Sequence, residues 1–174
     1  IREVDNWVIR RVVRQLSRWT VNPHLGHVPI AINISGRHLA SDNFVNDILD
    51  PIRNAGIDPR RLVLEITESA LLHDLEAAAQ KMQMLRDQSI RIAIDDFGTG
   101  YTSLGHLRSL PVDILKIDRT FINDESAGSL CKLIIDTGHL IGASITSEGI
   151  ETVDQAANFT EMGSDSLQGY LFAR

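Results

Sequence analysis

Two aspartates stand side by side at Asp95 and Asp96, where the apolar run "IRIAIDD" gives way to the glycine-rich "FGTGYTSL". Adjacent like charges cost energy unless a cation is held between them. Other side chains able to bind cations or move protons recur at or near the ends of other apolar runs. Asn33 closes "VPIAIN", Glu65 lies within "RLVLEITE" with Glu68 just beyond it, and Lys116 and Asp118 close "PVDILKID". Glu148 follows "ASITS", and Gln168 falls in "DSLQGYLF". Asn33, Glu65, Asp95, Asp96 and Glu148 all offer oxygen. That set suits hard cations such as Mg²⁺ or Mn²⁺, and does not suit zinc, which takes His and Cys. Two divalent ions would balance the four carboxylates. Asp95 would bridge ions about 3.5–4 Å apart while Asp96 holds one of them from the loop. Lys116, the single cation of the set, is placed to orient a water or take its proton.

These groups need elements to bring them together. The spacing of Val4, Trp7, Val8, Val12 and the stretch from Leu16 to Trp19 predicts an amphipathic helix. A helix through "SDNFVNDILDPIRNAG" has Ser41 as its expected N-cap and Gly56 as its expected C-cap. Further helices are expected over "DLEAAAQKMQMLRDQ", through residues 104–107, around 130–140 and from near Val153. Between them lie six short strands, apolar on both faces as covered parallel strands are. Alternating strands and helices give an α/β fold, either an open doubly wound sheet or a closed barrel, which usually has eight strands. In both, residues at the carboxyl ends of parallel strands converge on one face.

Each candidate also has a plain structural role open to it. Asn33 with Ser35 makes turn chemistry, Glu68 caps a helix, Asp96 with Gly98 forms a loop tip, Lys116 and Asp118 form a surface ion pair, Glu148 with Gly149 turns the chain, and Gln168 is a satisfied amide. Six strands that all end in such groups are not expected from chance. Competing motifs fail on context. "DFG" lacks a preceding H-R-D, "GTGYTS" matches neither phosphate-binding fingerprint, and "HD" at His73 is a two-residue coincidence. The six histidines are scattered. The single cysteine, Cys131, excludes an internal disulfide and reads as core.

Composition fits one globular domain, with 174 residues, 43% apolar and 23% charged. The net charge of −6 argues against binding nucleic acid polymers or anionic membranes. No apolar run approaches the roughly 20 residues that span a bilayer.

The stretches "INIS", "LEITES", "IAIDDFGTGYTSL", "LPVDILKID", "SEGIET" and "LQGYLFAR" resemble, in order and across nearly the whole chain, the EAL domain family of cyclic di-GMP phosphodiesterases. The resemblance implies a modified TIM-type (β/α)8 barrel whose first strand is antiparallel. It implies hydrolysis of cyclic di-GMP to linear pGpG with two Mg²⁺ or Mn²⁺. Asn33, Glu65 and Asp95 match ligands of one ion, and Asp95, Asp96 and Glu148 match ligands of the other. Lys116 matches the lysine that holds the catalytic water, and Glu68 the glutamate that steadies the "DFGTGYTS" loop. Asp118 and Gln168 match residues lining the substrate pocket. The loop over residues 96–103, with the helix after Lys116, matches the family's homodimer contact.

The Glu-Ala-Leu motif that names the family is absent here, along with a neighbouring arginine. The expectation is a partial domain over residues 1–174, lacking the first two strands and the last helix of the barrel. Its strands near Ile32 and Leu167 would be open edges, and the isolated piece would be poorly soluble or oligomeric and inactive. The domain is expected to work in the cytoplasm on cyclic di-GMP, in a parent protein that could be membrane-attached and could carry regulatory or GGDEF domains. Two alternatives stand beside the enzyme: a degenerate EAL domain that binds cyclic di-GMP without cutting it, and an unrelated metal-dependent barrel hydrolase.

Overall fold

A computed structural model describes residues 2–71, 74–98, 107–122 and 127–173. The chain divides into two compact units, Ile1–Ile92 and Ala93–Arg174.

The first unit opens with α1 (Arg2–Trp19), followed by β1 (Ile30–Ile34), α2 (Gly36–Leu39), α3 (Phe44–Ala55), β2 (Leu62–Thr67), α4 (Glu68–Leu71) and α5 (Leu75–Arg86). β1 and β2 are parallel, with Asn33 opposite Glu65 and Ile34 opposite Ile66. α1 packs on β1 and α3, and α3 on α5. Leu16, Phe44, Ile48, Leu64, Met82 and Leu85 are fully buried. Each such side chain contributes about 1.5–3 kcal/mol.

The buried face of α1 is Ile9, Val13 and Leu16. Val4 and Trp7, expected on that face, are instead exposed. α3 ends as expected at Gly56, in the left-handed conformation. Its N-cap is Asn43 and not Ser41, whose hydroxyl accepts from the Asn43 N–H at 3.3 Å. Asp74 caps α5 by accepting from the Ala77 N–H at 3.0 Å. β1 alternates buried with more exposed residues and is not apolar on both faces.

Two buried polar side chains hold the first unit together. Arg61 donates to Leu16 O at 3.2 Å, Thr20 Oγ1 at 3.0 Å, Leu25 O at 3.1 Å and Val28 O at 3.4 Å. It thereby ties the end of α1 to the loop before β1, adding a donor to Leu16 O and Leu25 O beside the Thr20 and Val28 N–H groups they already accept from. His38 is fully buried, with Nε2 3.1 Å from Asp47 Oδ2 and its ring edge-on to Phe44. Burial raises the Asp47 carboxyl, but hydrogen bonds from His38, Asn6 and Arg2 outweigh it and hold the group below the usual range.

β3 (Arg91–Phe97) leads into the second unit, which continues through β4 (Ile114–Ile117), α6 (Arg119–Ile122), α7 (Gly128–Leu140), β5 (Ser144–Ser147), α8 (Val153–Met162) and β6 (Ser166–Leu167). β3, β4, β5 and β6 pair in that order, all parallel. α7 packs on β4, β5 and α8. Leu115, Ile117, Ile135 and Ile145 form the core, and Cys131 is buried within α7, its Sγ 3.8 Å from Phe121 O. α8 starts with a capping box between Thr152 and Gln155. β6 is only two residues long, shorter than its apolar run suggests. Of the helix expected over residues 104–107, only Leu107 falls among the described residues.

Replacing Arg61 with Met should cost about 2–3 kcal/mol, because four hydrogen bonds that tie the end of α1 to the loop before β1 are lost together. Arg61→Lys should recover only part of this, since an ammonium lacks the planar fork. Urea unfolding of the two variants checks both.

Candidate active site

Pairing between β3 and β4 changes step at the two aspartates. Ala93 pairs with Ile114 and Ile94 with Leu115, but Phe97 pairs with Ile117, so one extra residue is accommodated on β3. A regular strand sends consecutive side chains to opposite faces. A bulge re-aims one of them. Asp96 takes a φ of 55°, a left-handed conformation that Asp tolerates better than most residues. Carboxylate oxygens of Asp95, Asp96 and Glu148 consequently lie within 4.8 Å of one another. Asp95 and Asp96 do not end the strand as expected, since it continues to Phe97.

Lys116 reaches into this group from β4. Its Nζ lies 3.0 Å from Asp95 Oδ1 and 2.6 Å from Glu148 Oε1, and its side chain is 7% exposed. Glu148 follows β5 directly and is fixed by its N–H donating to Ile117 O at 3.1 Å. Gly149 then turns the chain at a φ of 73°, where a Cβ would stand 2.4 Å from Arg119 Cβ. Only glycine fits there.

Asp118 is not the partner of Lys116 in a surface ion pair. Its Oδ1 accepts from the Thr120 N–H at 2.9 Å and the Thr120 hydroxyl at 2.5 Å, fixing the turn into α6. Burial pushes the Asp96 carboxyl up, and the charges of Asp95 and Asp118 and a hydrogen bond to Asp118 push the same way. Asp118 moves oppositely: burial raises it, but bonds from Thr120 and Asp96 prevail and hold it below the usual range. Gln168 follows β6, its N–H donating to Ser147 O at 2.9 Å and its carbonyl accepting from the Ile150 N–H at 3.0 Å. A cleft of about 320 Å³ is lined by Asp96, Asp118, Glu148, Gln168 and Tyr170, among others. A larger cavity of about 460 Å³, lined by Phe121, Cys131, Phe159 and Met162 among others, lies away from the carboxylates.

In the first unit, Asn33 and Glu65 stand opposite each other on β1 and β2, Asn33 exposed and Glu65 half-buried. Glu68 starts α4 and is buried. Residues 99–106, most of the glycine-rich loop, lie outside the described residues. Sequence reasoning did not single out Thr120 or Tyr170. The "DRT" turn carried the signal for Thr120, since a hydroxyl two residues after Asp is a common turn partner. Nothing in the sequence marked Tyr170.

Parallel strands flanked by helices, with carboxylates and a buried lysine gathered where strands end, define an α/β protein whose candidate site lies at strand carboxyl ends, where such folds place their sites. The family described as EAL domain matches residues 1–174, and the chain belongs to it. It is 35% identical over 178 residues to the cyclic di-GMP phosphodiesterase NbdA of Pseudomonas aeruginosa, covering 100% of this chain and 23% of that protein. It is 35% identical over 176 residues to the bifunctional diguanylate cyclase/cyclic di-GMP phosphodiesterase MucR of the same organism, covering 99% of this chain and 26% of that protein. Among solved structures it matches the PaMucR phosphodiesterase in its c-di-GMP complex, with a TM-score of 0.93 and 34% identity, over 99% of this chain and 71% of that one. It also matches the EAL domain of Mycobacterium smegmatis DcpA, with a TM-score of 0.91 and 33% identity, over 99% of this chain and 79% of that one. The chain thus spans about a quarter of the length of these curated relatives. The six strands among the described residues alternate with helices, the α/β fold class expected from the sequence.

Asp96→Asn should make the metal-free protein more resistant to urea at pH 7. The folded-state pKa of Asp96 is raised, so ionising it costs stability as pH rises through that value, and asparagine removes the cost. The difference should vanish at pH values below the ordinary carboxylate range. Urea midpoints at pH 3 and pH 7 check the sign.

Proposed function

We propose that this chain is the greater part of a domain that hydrolyses cyclic di-GMP to linear pGpG with the help of Mg²⁺ or Mn²⁺. The observation that supports it most is the group formed by Asp95, Asp96 and Glu148 around the Lys116 ammonium. These carboxylates already hold one cation, and their hard oxygens suit divalent ions. Asp95, Asp96 and Glu148 would hold one ion, while Asn33 and Glu65, assigned by family membership, would join Asp95 in holding another. When bound, such ions polarise the phosphodiester and make water a better nucleophile at neutral pH.

The chain's own residues supply the rest. Lys116 Nζ, fixed by two carboxylates, would hold the attacking water by donating a hydrogen bond to its oxygen. Its burial keeps the charge from being screened by solvent. Asp118 and Gln168 line the cleft and would position the substrate. Glu68 would brace the glycine-rich loop, and residues 96–103 would contribute to a homodimer. The catalytic reading is favoured over a receptor that only binds because every acid of the set within this chain is present. As MucR pairs this activity with a diguanylate cyclase, the parent protein would carry further domains of that sort. No helix among the described residues is long and apolar enough to cross a membrane.

Asp95→Ala in the intact protein should abolish Mn²⁺ binding and pGpG formation together, and calorimetry with a nucleotide assay checks both. Near-normal turnover would sink the assignment. Glu68→Ala should slow hydrolysis in a way that raised Mg²⁺ partly relieves. A loss that no Mg²⁺ concentration relieves would make Glu68 a direct catalytic group.

A further inference from the structure

β1 pairs with β2 as far as Ile34 opposite Ile66. Ser35 lies one residue past that last pair and two past Asn33. Its N–H donates to Asp5 Oδ2 at 3.2 Å, and its hydroxyl donates to the same oxygen at 2.5 Å. The Ser35 hydroxyl also accepts from the His38 N–H at 3.3 Å and caps α2. The Nδ1 of buried His38 stands 3.4 Å from that Asp5 oxygen, in ion-pair range but without hydrogen-bond geometry. The Asp5 side chain is only 12% exposed. One carboxylate oxygen on α1 therefore meets the end of β1 and the start of α2.

We propose that Asp5 is a positioning residue for Asn33, acting through Ser35 to fix the carboxyl end of β1 and so the direction in which the Asn33 amide is presented. This rests on the reading of Asn33 as a metal ligand. Asn33 is exposed, so the backbone that carries it does much to set where its amide is presented. Ladder bonds to β2 hold the strand up to Ile34. Past that point the two bonds to Asp5 take over, and bonds to a carboxylate are among the stronger and shorter ones available. Partners one step removed from a ligand commonly set metal affinity by 10–100-fold.

The test measures Mn²⁺ affinity of the intact parent protein by electron paramagnetic resonance without substrate, alongside urea midpoints of the metal-free forms. Asp5→Asn and Ser35→Ala should each weaken Mn²⁺ binding by about 10-fold. Ser35→Thr, which keeps the hydroxyl, should bind like the wild type. The double variant Asp5→Asn/Ser35→Ala should be little worse than the poorer single one, because both break one contact. A purely structural role would lower the urea midpoints and leave the Mn²⁺ affinity of the folded protein unchanged. Should Asp5→Asn fail to fold, Ser35→Ala carries the test. Asn33→Ala separates the two levels. If it weakens Mn²⁺ binding while Asp5→Asn and Ser35→Ala do not, the positioning role is overturned and the ligand reading stands. If Asn33→Ala changes nothing, the ligand reading fails and the positioning role falls with it.

Discussion

The Lys116 ammonium between Asp95 and Glu148 is the interaction on which the second unit's polar end depends. Three carboxylates with oxygens within 4.8 Å of one another would repel strongly in a partly dry setting. A buried lysine on the neighbouring strand offsets much of that repulsion by pairing with two of the acids. Neither partner is tolerable alone, since a buried charge without its counter-charge is among the costliest errors a fold can carry. The β3 bulge, the left-handed Asp96 and the turn at Gly149 all serve the same arrangement by delivering side chains that regular strands would send elsewhere.

Much of this was legible in the sequence because it depends on strand order and residue type. Six apolar runs, each with a coordinating or proton-handling group at or near its end, predicted which strand each of these residues would sit on or beside. Six strands carry Asn33, Glu65, Asp95, Lys116, Glu148 and Gln168 on or beside them. The raised Asp96 and lowered Asp118 were not legible, because their coupling arises from a turn whose geometry depends on Thr120. The bulge was equally hidden: nothing in "IAIDDF" says which of two adjacent acids is out of step. The short helices α2, α4 and α6 are four residues each, too brief for apolar spacing to show. Val4 and Trp7 fit a helical period but lie outside the arc that α1 buries, which the position of Ile9 determines and periodicity alone does not.

The first unit solves a different problem with the same means. Two of its buried polar groups, Arg61 and His38, take no part in the proposed chemistry. They add further hydrogen bonds to carbonyls at the end of α1 and in the loop after it, and to the Asp47 carboxylate. Arg61 ties the loop after α1 to β2, and His38 joins α2 to α3 through Asp47. Polar side chains in these places make loop geometry as reproducible as that of the strands. That precision is needed wherever a loop follows a strand bearing a candidate ligand.

Cys131 packs inside α7 with no exposed surface. As the single thiol of the chain, it leaves a silent background for sulfhydryl chemistry. A cysteine introduced at an exposed site such as Leu140, at the outer end of the same helix, would take a maleimide dye or spin label by itself. The wild-type sequence therefore comes ready for site-selective labelling, with no prior removal of native thiols to disturb the packing it would be used to study.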